Sequence, residues 1–171
     1  MIDVLQHGFL NYLYGHAEEN CVVDNAKVLP SVGVTGFLPS TPCLPPQKTH
    51  ELLKSLSKDI DNAKEGARVL GIHSEGPCFS LPGAHNPKNL RNPSVELAEE
   101  LITSTNGKLK AVTIAPEMDG SEEFIKRLKK DNISIHLGHS GADPKDVPMF
   151  ADWGVDAVTH MYDALPTYPK D

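Results

Sequence analysis

Short apolar runs alternate along this chain with longer segments in which apolar residues recur every three or four positions. The short runs predict strands at residues 2–6, 34–38, 69–73, 111–114, 134–137 and 157–159. Between them, Leu52, Leu53, Leu56 and Ile60 fall on one face of a helix predicted over 47–65. Further helices are predicted at 95–104 after Pro93-Ser94, at 122–131 with Ser121 as N-cap, and at 145–153 after Asp143-Pro144. A weaker pattern covers 19–29. This β-α alternation implies a parallel sheet with right-handed helical crossovers, either an open doubly wound sheet or a (β/α)8 barrel. Neither a G-x-G-x-x-G nor a G-x-x-x-x-G-K-[ST] run follows the first strand, which counts against the nucleotide-binding versions.

The polar residues favour the barrel. His7 ends the first predicted strand, Glu75 follows the third, and His139 and His160 follow the fifth and sixth. Such residues at the C-terminal ends of successive parallel strands are what a barrel active site requires. No linker or shift in composition divides the chain, so residues 1–171 read as one domain. A closed barrel usually takes ~250 residues, so the expectation is a partial TIM barrel with about six of its eight βα units.

Composition narrows the class of protein. With 39% apolar and 23% charged residues, a folded chain is expected. A net charge of −7 argues against a nucleic-acid surface, yet leaves a small anionic substrate open. Cys21, Cys43 and Cys78 are odd in number and form no C-x-x-C pair, which favours reduced thiols in a cytoplasmic protein. No apolar run approaches the roughly 18 residues of a membrane span, and the start lacks the basic and apolar regions of a signal peptide.

Histidine nitrogen and carboxylate oxygen are the ligand types of a catalytic zinc or related ion. Glu75, His139 and His160 would make such a His₂Glu set, suited to hydrolysis of an amide or related C–N bond. The blander reading stands beside it: a Glu before Gly-Pro is commonly a solvated turn residue, and a His at a strand end commonly caps or packs. His73 shares strand parity with Glu75 and is expected to face the same interior. His136 has parity opposite to His139 and is read as structural, whereas His16 and His50 are expected in solvent. Ser140 lacks a G-x-S-x-G elbow and is set aside as a nucleophile, and nothing pairs Cys78 with a histidine.

Longer strings then add specificity. GIHSEGP (71–77), GAHNP (83–87), TIAPE (113–117), GHSGA (138–142) and VTHMYDALP (158–166) occur in one order, with IDVLQHG and VTGFLPST before them. This set resembles the N-acetylglucosamine-6-phosphate deacetylase family of the amidohydrolase superfamily. The resemblance implies a (β/α)8 metal-dependent hydrolase that releases acetate from an amino-sugar phosphate, and commonly a homodimer. It implies one divalent ion, zinc first among the candidates, on Glu75, His139 and His160. It places His85 at the substrate amide carbonyl, Asp163 and Ala164 at the sugar phosphate, and His7 and His73 where they would serve a second metal or support the first.

The chain also departs from the family pattern. Leu5 stands where many relatives have the first His of a His-x-His pair, which favours a single metal. Asp163 replaces an Asn, and an acid facing a phosphate is unfavourable unless a cation intervenes. The stretch between EGP and GAHNP is slightly short and lacks the family's lysines. The aspartate that serves the family as general acid and base, in a T-D-A motif, is expected beyond residue 171, as are the parts of a small β-sandwich outside the chain. Little turnover is therefore expected from these residues alone. Two alternatives stand: a deacetylase of another N-acetyl amino sugar, or a non-catalytic metal-binding remnant.

Overall fold

The computed structural model describes residues 1–10, 12–14 and 20–165. Strand β1 (Ile2–Gln6) leads into a hairpin of two short strands, β2 (Gly8–Phe9) and β3 (Tyr12–Leu13), which the residue pattern did not predict. Helix α1 (Cys21–Val28) and a 3₁₀ turn follow, then β4 (Gly36–Thr41), α2 (Pro46–Asn62), β5 (Arg68–Val69) and β6 (Ile72–Glu75). The chain continues through α3 (Val95–Ser104), β7 (Leu109–Ile114), α4 (Ser121–Lys129), β8 (Ser134–Leu137), α5 (Val147–Trp153) and β9 (Val155–Val158). The main sheet is parallel throughout, in the order β1-β4-β6-β7-β8-β9, with β5 beside β4.

The sheet is curled. In a flat sheet strands two places apart, such as β7 and β9 or β6 and β1, would lie about 10 Å from each other. Yet Thr113 of β7 hydrogen-bonds Thr159 just past β9 at 2.8 Å, and His73 of β6 reaches the Val4 carbonyl of β1 at 2.6 Å. Such contacts form only across the concave face of a half-barrel. The outer face carries the apolar core: Leu52, Leu53 and Leu56 of α2, Leu97 and Leu101 of α3 and Phe124, Ile125 and Leu128 of α4 pack on Ile72, Val112, Ile114 and Ile135.

The helix over 95–104 forms as predicted, with Ser94 Oγ accepting from the Leu97 N–H at 3.2 Å. The strand predicted over 69–73 is split into β5 and β6. Gly71 sits between them at φ 145, where an added Cβ would lie 2.7 Å from the Lys108 carbonyl. Gly120, and not Ser121, occupies the N-cap of α4, and Ser121 turns its hydroxyl to the Ala115 carbonyl. The segment predicted over 145–153 is a 3₁₀ turn (Pro144–Asp146) followed by α5. His50 is half-buried and bonds Ser104 Oγ at 2.7 Å, so its expected exposure is corrected. His16 lies outside the described residues. No helix among the described residues is long and apolar enough to cross a membrane.

Candidate metal and substrate site

Glu75 ends β6 on the concave face, only 3% exposed. Four imidazoles surround it. Its Oε1 lies 3.2 Å from His160 Nε2 and 3.5 Å from His139 Nε2, and its Oε2 lies 2.9 Å from His7 Nε2 and 3.4 Å from His85 Nε2. Burial pushes the Glu75 carboxyl up, but hydrogen bonding with His139, His7 and His85 outweighs it and holds the group well below the usual carboxylate range. The same contact pushes the His7 imidazole up, against the opposing effect of burial.

Hydrogen bonds on the far side of each ring fix its tautomer. His139 Nδ1–H donates to the Leu81 carbonyl at 3.0 Å, and His160 Nδ1–H donates to the Asp163 carbonyl at 3.1 Å. Both Nε2 atoms therefore face inward, 3.1 Å apart and beside an anionic oxygen, and present lone pairs to an ion once any proton shared with Glu75 has left. Three electron-pair donors so close repel one another unless a proton or a cation lies among them. Glu75, His139 and His160 place their ligand atoms within 4.8 Å of one another, which fits a single divalent ion.

His85 is set the other way. The Cys43 N–H points to its Nδ1 at 3.4 Å, so Nε2 carries the proton and is a donor toward the centre. Asn89 Nδ2 donates to the Cys43 carbonyl at 3.0 Å and fixes that strand end. His7 Nδ1–H donates to the Ser40 carbonyl at 3.1 Å, aiming Nε2 at Glu75.

The left-handed backbone of His139, φ 52, turns its ring out of the strand direction. A residue held there costs on the order of 1–3 kcal/mol and persists only where its surroundings impose it. Gly138 before it leaves room for nothing larger, since a Cβ would lie 2.7 Å from Thr113 Cγ2 and 2.9 Å from Thr159 Cβ. This turn defeats the parity argument for His136. That residue also faces the interior, its ring edge-on to His73 at 4.9 Å, but it meets none of the cluster around Glu75.

His73 shares the interior with Glu75 yet bonds elsewhere. Its Nδ1–H donates to the Val4 carbonyl, so Nε2 accepts from Thr113 at 2.8 Å, and Thr113 in turn accepts from Thr159. Burial pushes this imidazole down to about 4, so it is neutral at physiological pH. Asp163 and Ala164 are engaged through their backbones: the Asp163 N–H bonds the His160 carbonyl, and the Ala164 carbonyl accepts from the Ser140 N–H. The Asp163 side chain is exposed.

The residue reading missed a second polar cluster, in which Glu117 gathers Ser80, Ser140 and the Gly141 N–H. Its only signal in the sequence was the acid that closes TIAPE.

A curled parallel sheet with a His/Glu cluster on its C-terminal rim defines part of a TIM-barrel domain. Along its whole length this chain is a relative of the N-acetylglucosamine-6-phosphate deacetylases. It is 34% identical over 179 residues to that enzyme of Rattus norvegicus, a match covering 99% of the chain and 43% of the relative. It is 37% identical over 152 residues to that of Danio rerio, covering 85% and 37%. N-acetylgalactosamine-6-phosphate deacetylase of Escherichia coli O157:H7 is 33% identical over 135 residues, covering 78% and 36%. The chain thus spans about two fifths of the curated relatives it matches.

Among solved structures, the Thermotoga maritima N-acetylglucosamine-6-phosphate deacetylase is similar with a TM-score of 0.80 at 31% identity, covering 96% of this chain and 44% of that one. A Mycobacterium smegmatis N-acetyl-D-glucosamine-6-phosphate deacetylase variant, solved with N-acetyl-D-glucosamine-6-phosphate, shares the fold with a TM-score of 0.90 at 24% identity, covering 99% and 44%. No family model matches the chain.

Proposed function

We propose that residues 1–171 supply the metal-binding and acetamide-orienting part of one barrel domain of an N-acetylglucosamine-6-phosphate deacetylase, a cytoplasmic enzyme of amino-sugar catabolism. The observation that carries this reading is the convergence of Glu75, His139 and His160 with both imidazole lone pairs turned inward. One divalent ion would be held by these three groups, and zinc suits two nitrogens and one carboxylate. When bound, such an ion supplies Lewis-acid polarisation of a carbonyl and acidifies a water molecule.

The remaining work falls to side chains. His85, with its proton on Nε2, is placed to donate to the acetamide oxygen and so to favour charge developing there. His7 bonds Glu75 Oε2 and keeps that oxygen turned from the two ligand imidazoles. With Leu5 in place of a second histidine, one ion is favoured over two. The sugar phosphate would lie beside Asp163 and Ala164, with a cation or a water between it and the acid. Proton transfer from the attacking water and to the departing amine is assigned to an aspartate outside these residues. Among the described residues, Glu75 is the one carboxylate bonded to the histidines of the centre. The whole enzyme is expected to act as a homodimer.

The galactosamine isomer is a second reading, favoured by Asp163 and by the similarity to the Escherichia coli enzyme. Calorimetric zinc titration with an acetate-release assay tests both. The 171-residue chain is expected to bind one zinc, to lose it on Glu75→Gln, and to release acetate slowly. General acid–base catalysis typically contributes about 10²–10⁴-fold. Rapid turnover would overturn the need for an outside acid, binding of two ions would overturn the single-metal reading, and the faster of the two phosphosugars identifies the substrate.

A further inference from the structure

Glu117 lies on the loop after β7, half-buried and out of contact with the four histidines. It nevertheless collects the hydrogen bonds that hold two of them. Its Oε1 accepts from Ser80 Oγ and from the Gly141 N–H at 2.7 Å, and its Oε2 accepts from Ser140 Oγ at 2.6 Å. These three donors flank His139 on both sides of the fold. Ser140 and Gly141 follow it directly in the chain. Ser80 leads into Leu81, whose N–H bonds the His139 carbonyl at 2.9 Å and whose own carbonyl accepts from His139 Nδ1–H at 3.0 Å.

The same knot extends to His160. The Ser140 N–H donates to the Ala164 carbonyl at 3.2 Å, and the neighbouring Asp163 carbonyl accepts from His160 Nδ1–H. One carboxylate thus ties together three separate loops; His139 hangs from a carbonyl on one of them, and His160 from a carbonyl on a fourth that Ser140 holds through Ala164. Without the carboxylate, the Gly141 N–H still reaches Ser80 Oγ at 2.9 Å, but the loop at 117 lets go of both others and Ser140 Oγ loses its acceptor. The left-handed backbone at His139 and the left-handed run at His160, Tyr162 and Ala164 would then be held by fewer restraints.

We propose that Glu117 is a positioning residue, a hydrogen-bonding clamp that presets the orientation and tautomer of His139 and His160 as ligands. This rests on the metal-centre reading above. Partners that orient a ligand imidazole typically change metal affinity by roughly 10–100-fold when removed.

The test uses the 171-residue chain and three variants: Glu117→Ala, Glu117→Gln and Ser140→Ala. Zinc affinity is measured by calorimetry, and ¹⁵N-histidine NMR of the metal-free protein reports ring tautomers. Glu117→Ala is expected to bind zinc roughly 10–100-fold more weakly and to blur the Nδ1–H signature of His139. Glu117→Gln keeps an acceptor oxygen and should recover most of the affinity, while Ser140→Ala, losing one bond of three, should fall between. Glu100→Gln serves as control, because it breaks the bidentate Arg91 pair away from the centre and should lower stability without moving zinc affinity. Should Glu117→Ala not fold, Glu117→Gln and Ser140→Ala still carry the comparison. Unchanged affinity and unchanged histidine signals in Ser140→Ala and Glu117→Ala would overturn the clamp alone. So would a Gln variant as defective as the Ala variant. A wild-type chain that binds no zinc would overturn the metal reading and the clamp with it.

Discussion

At the scale of single residues, the interior of the half-barrel is a place where imidazoles differ by their second nitrogen. His139 and His160 give their protons to carbonyls and present lone pairs, whereas His85 receives an N–H and presents a proton. His73, one layer lower, uses both nitrogens within the barrel and has none left for the centre. That difference predicts separable phenotypes. His73→Leu leaves the Val4 carbonyl without its partner and the Thr113 hydroxyl with Thr159 alone, which should cost about 1–3 kcal/mol in urea unfolding. Its zinc affinity should stay close to wild type. A large loss of zinc binding with little loss of stability would show that His73 serves the centre after all. Residue types and strand ends already pointed to Glu75, His139 and His160 in the sequence. The tautomers were not legible, because they depend on carbonyls of residues 81 and 163 that lie far away or turn back through left-handed backbone.

At the scale of elements, the chain signals its helices more clearly than its strand limits. Helix α3 begins where Ser94 can accept from Leu97 N–H, and its Leu97, Ala98 and Leu101 face inward at helical spacing. Such a start is written in local residues, and the structure matches it to the residue. Ser94→Ala should cost about 1 kcal/mol, read as a lowered urea midpoint with an unchanged slope. Strands were placed correctly in order, those at 2–6 and 134–137 to the residue, while the others differ at their ends. The split at Gly71 answers to Lys108 and Lys110 on the neighbouring strand, and the early start of β9 answers to Val155 pairing with Ile135. The hairpin β2–β3 is too short to show a periodicity. His136 is packed against His73 and Ser134, in keeping with a structural role, but its parity relative to His139 gave no reason for it, because Gly138 and His139 leave the strand before alternation can continue. Local signals set a helix; strand ends are negotiated with neighbours.

At the scale of the whole molecule, the described residues pair β1 only with β4 and β9 only with β8. Beside β9 runs an apolar groove of about 360 Å³ lined by Leu137, Val147, Phe150, Val158, Met161 and Leu165. Unpaired strand edges next to exposed apolar surface invite association with another chain. The isolated 171-residue chain is therefore expected to self-associate as its concentration rises, seen as an increasing weight-average mass in sedimentation. Val158→Lys, which puts a charge on the β9 rim, should shift that rise to higher concentration. A chain that stays monomeric at all concentrations would show these edges to be protected. A different consequence follows from the cluster around Glu75. Its five side chains, spread over residues 7 to 160, stand at or just after the ends of β1, β6, β8 and β9 of a single winding. A boundary placed anywhere after residue 160 would keep every one of them together, so under the proposed function ion capture and turnover would be separable traits.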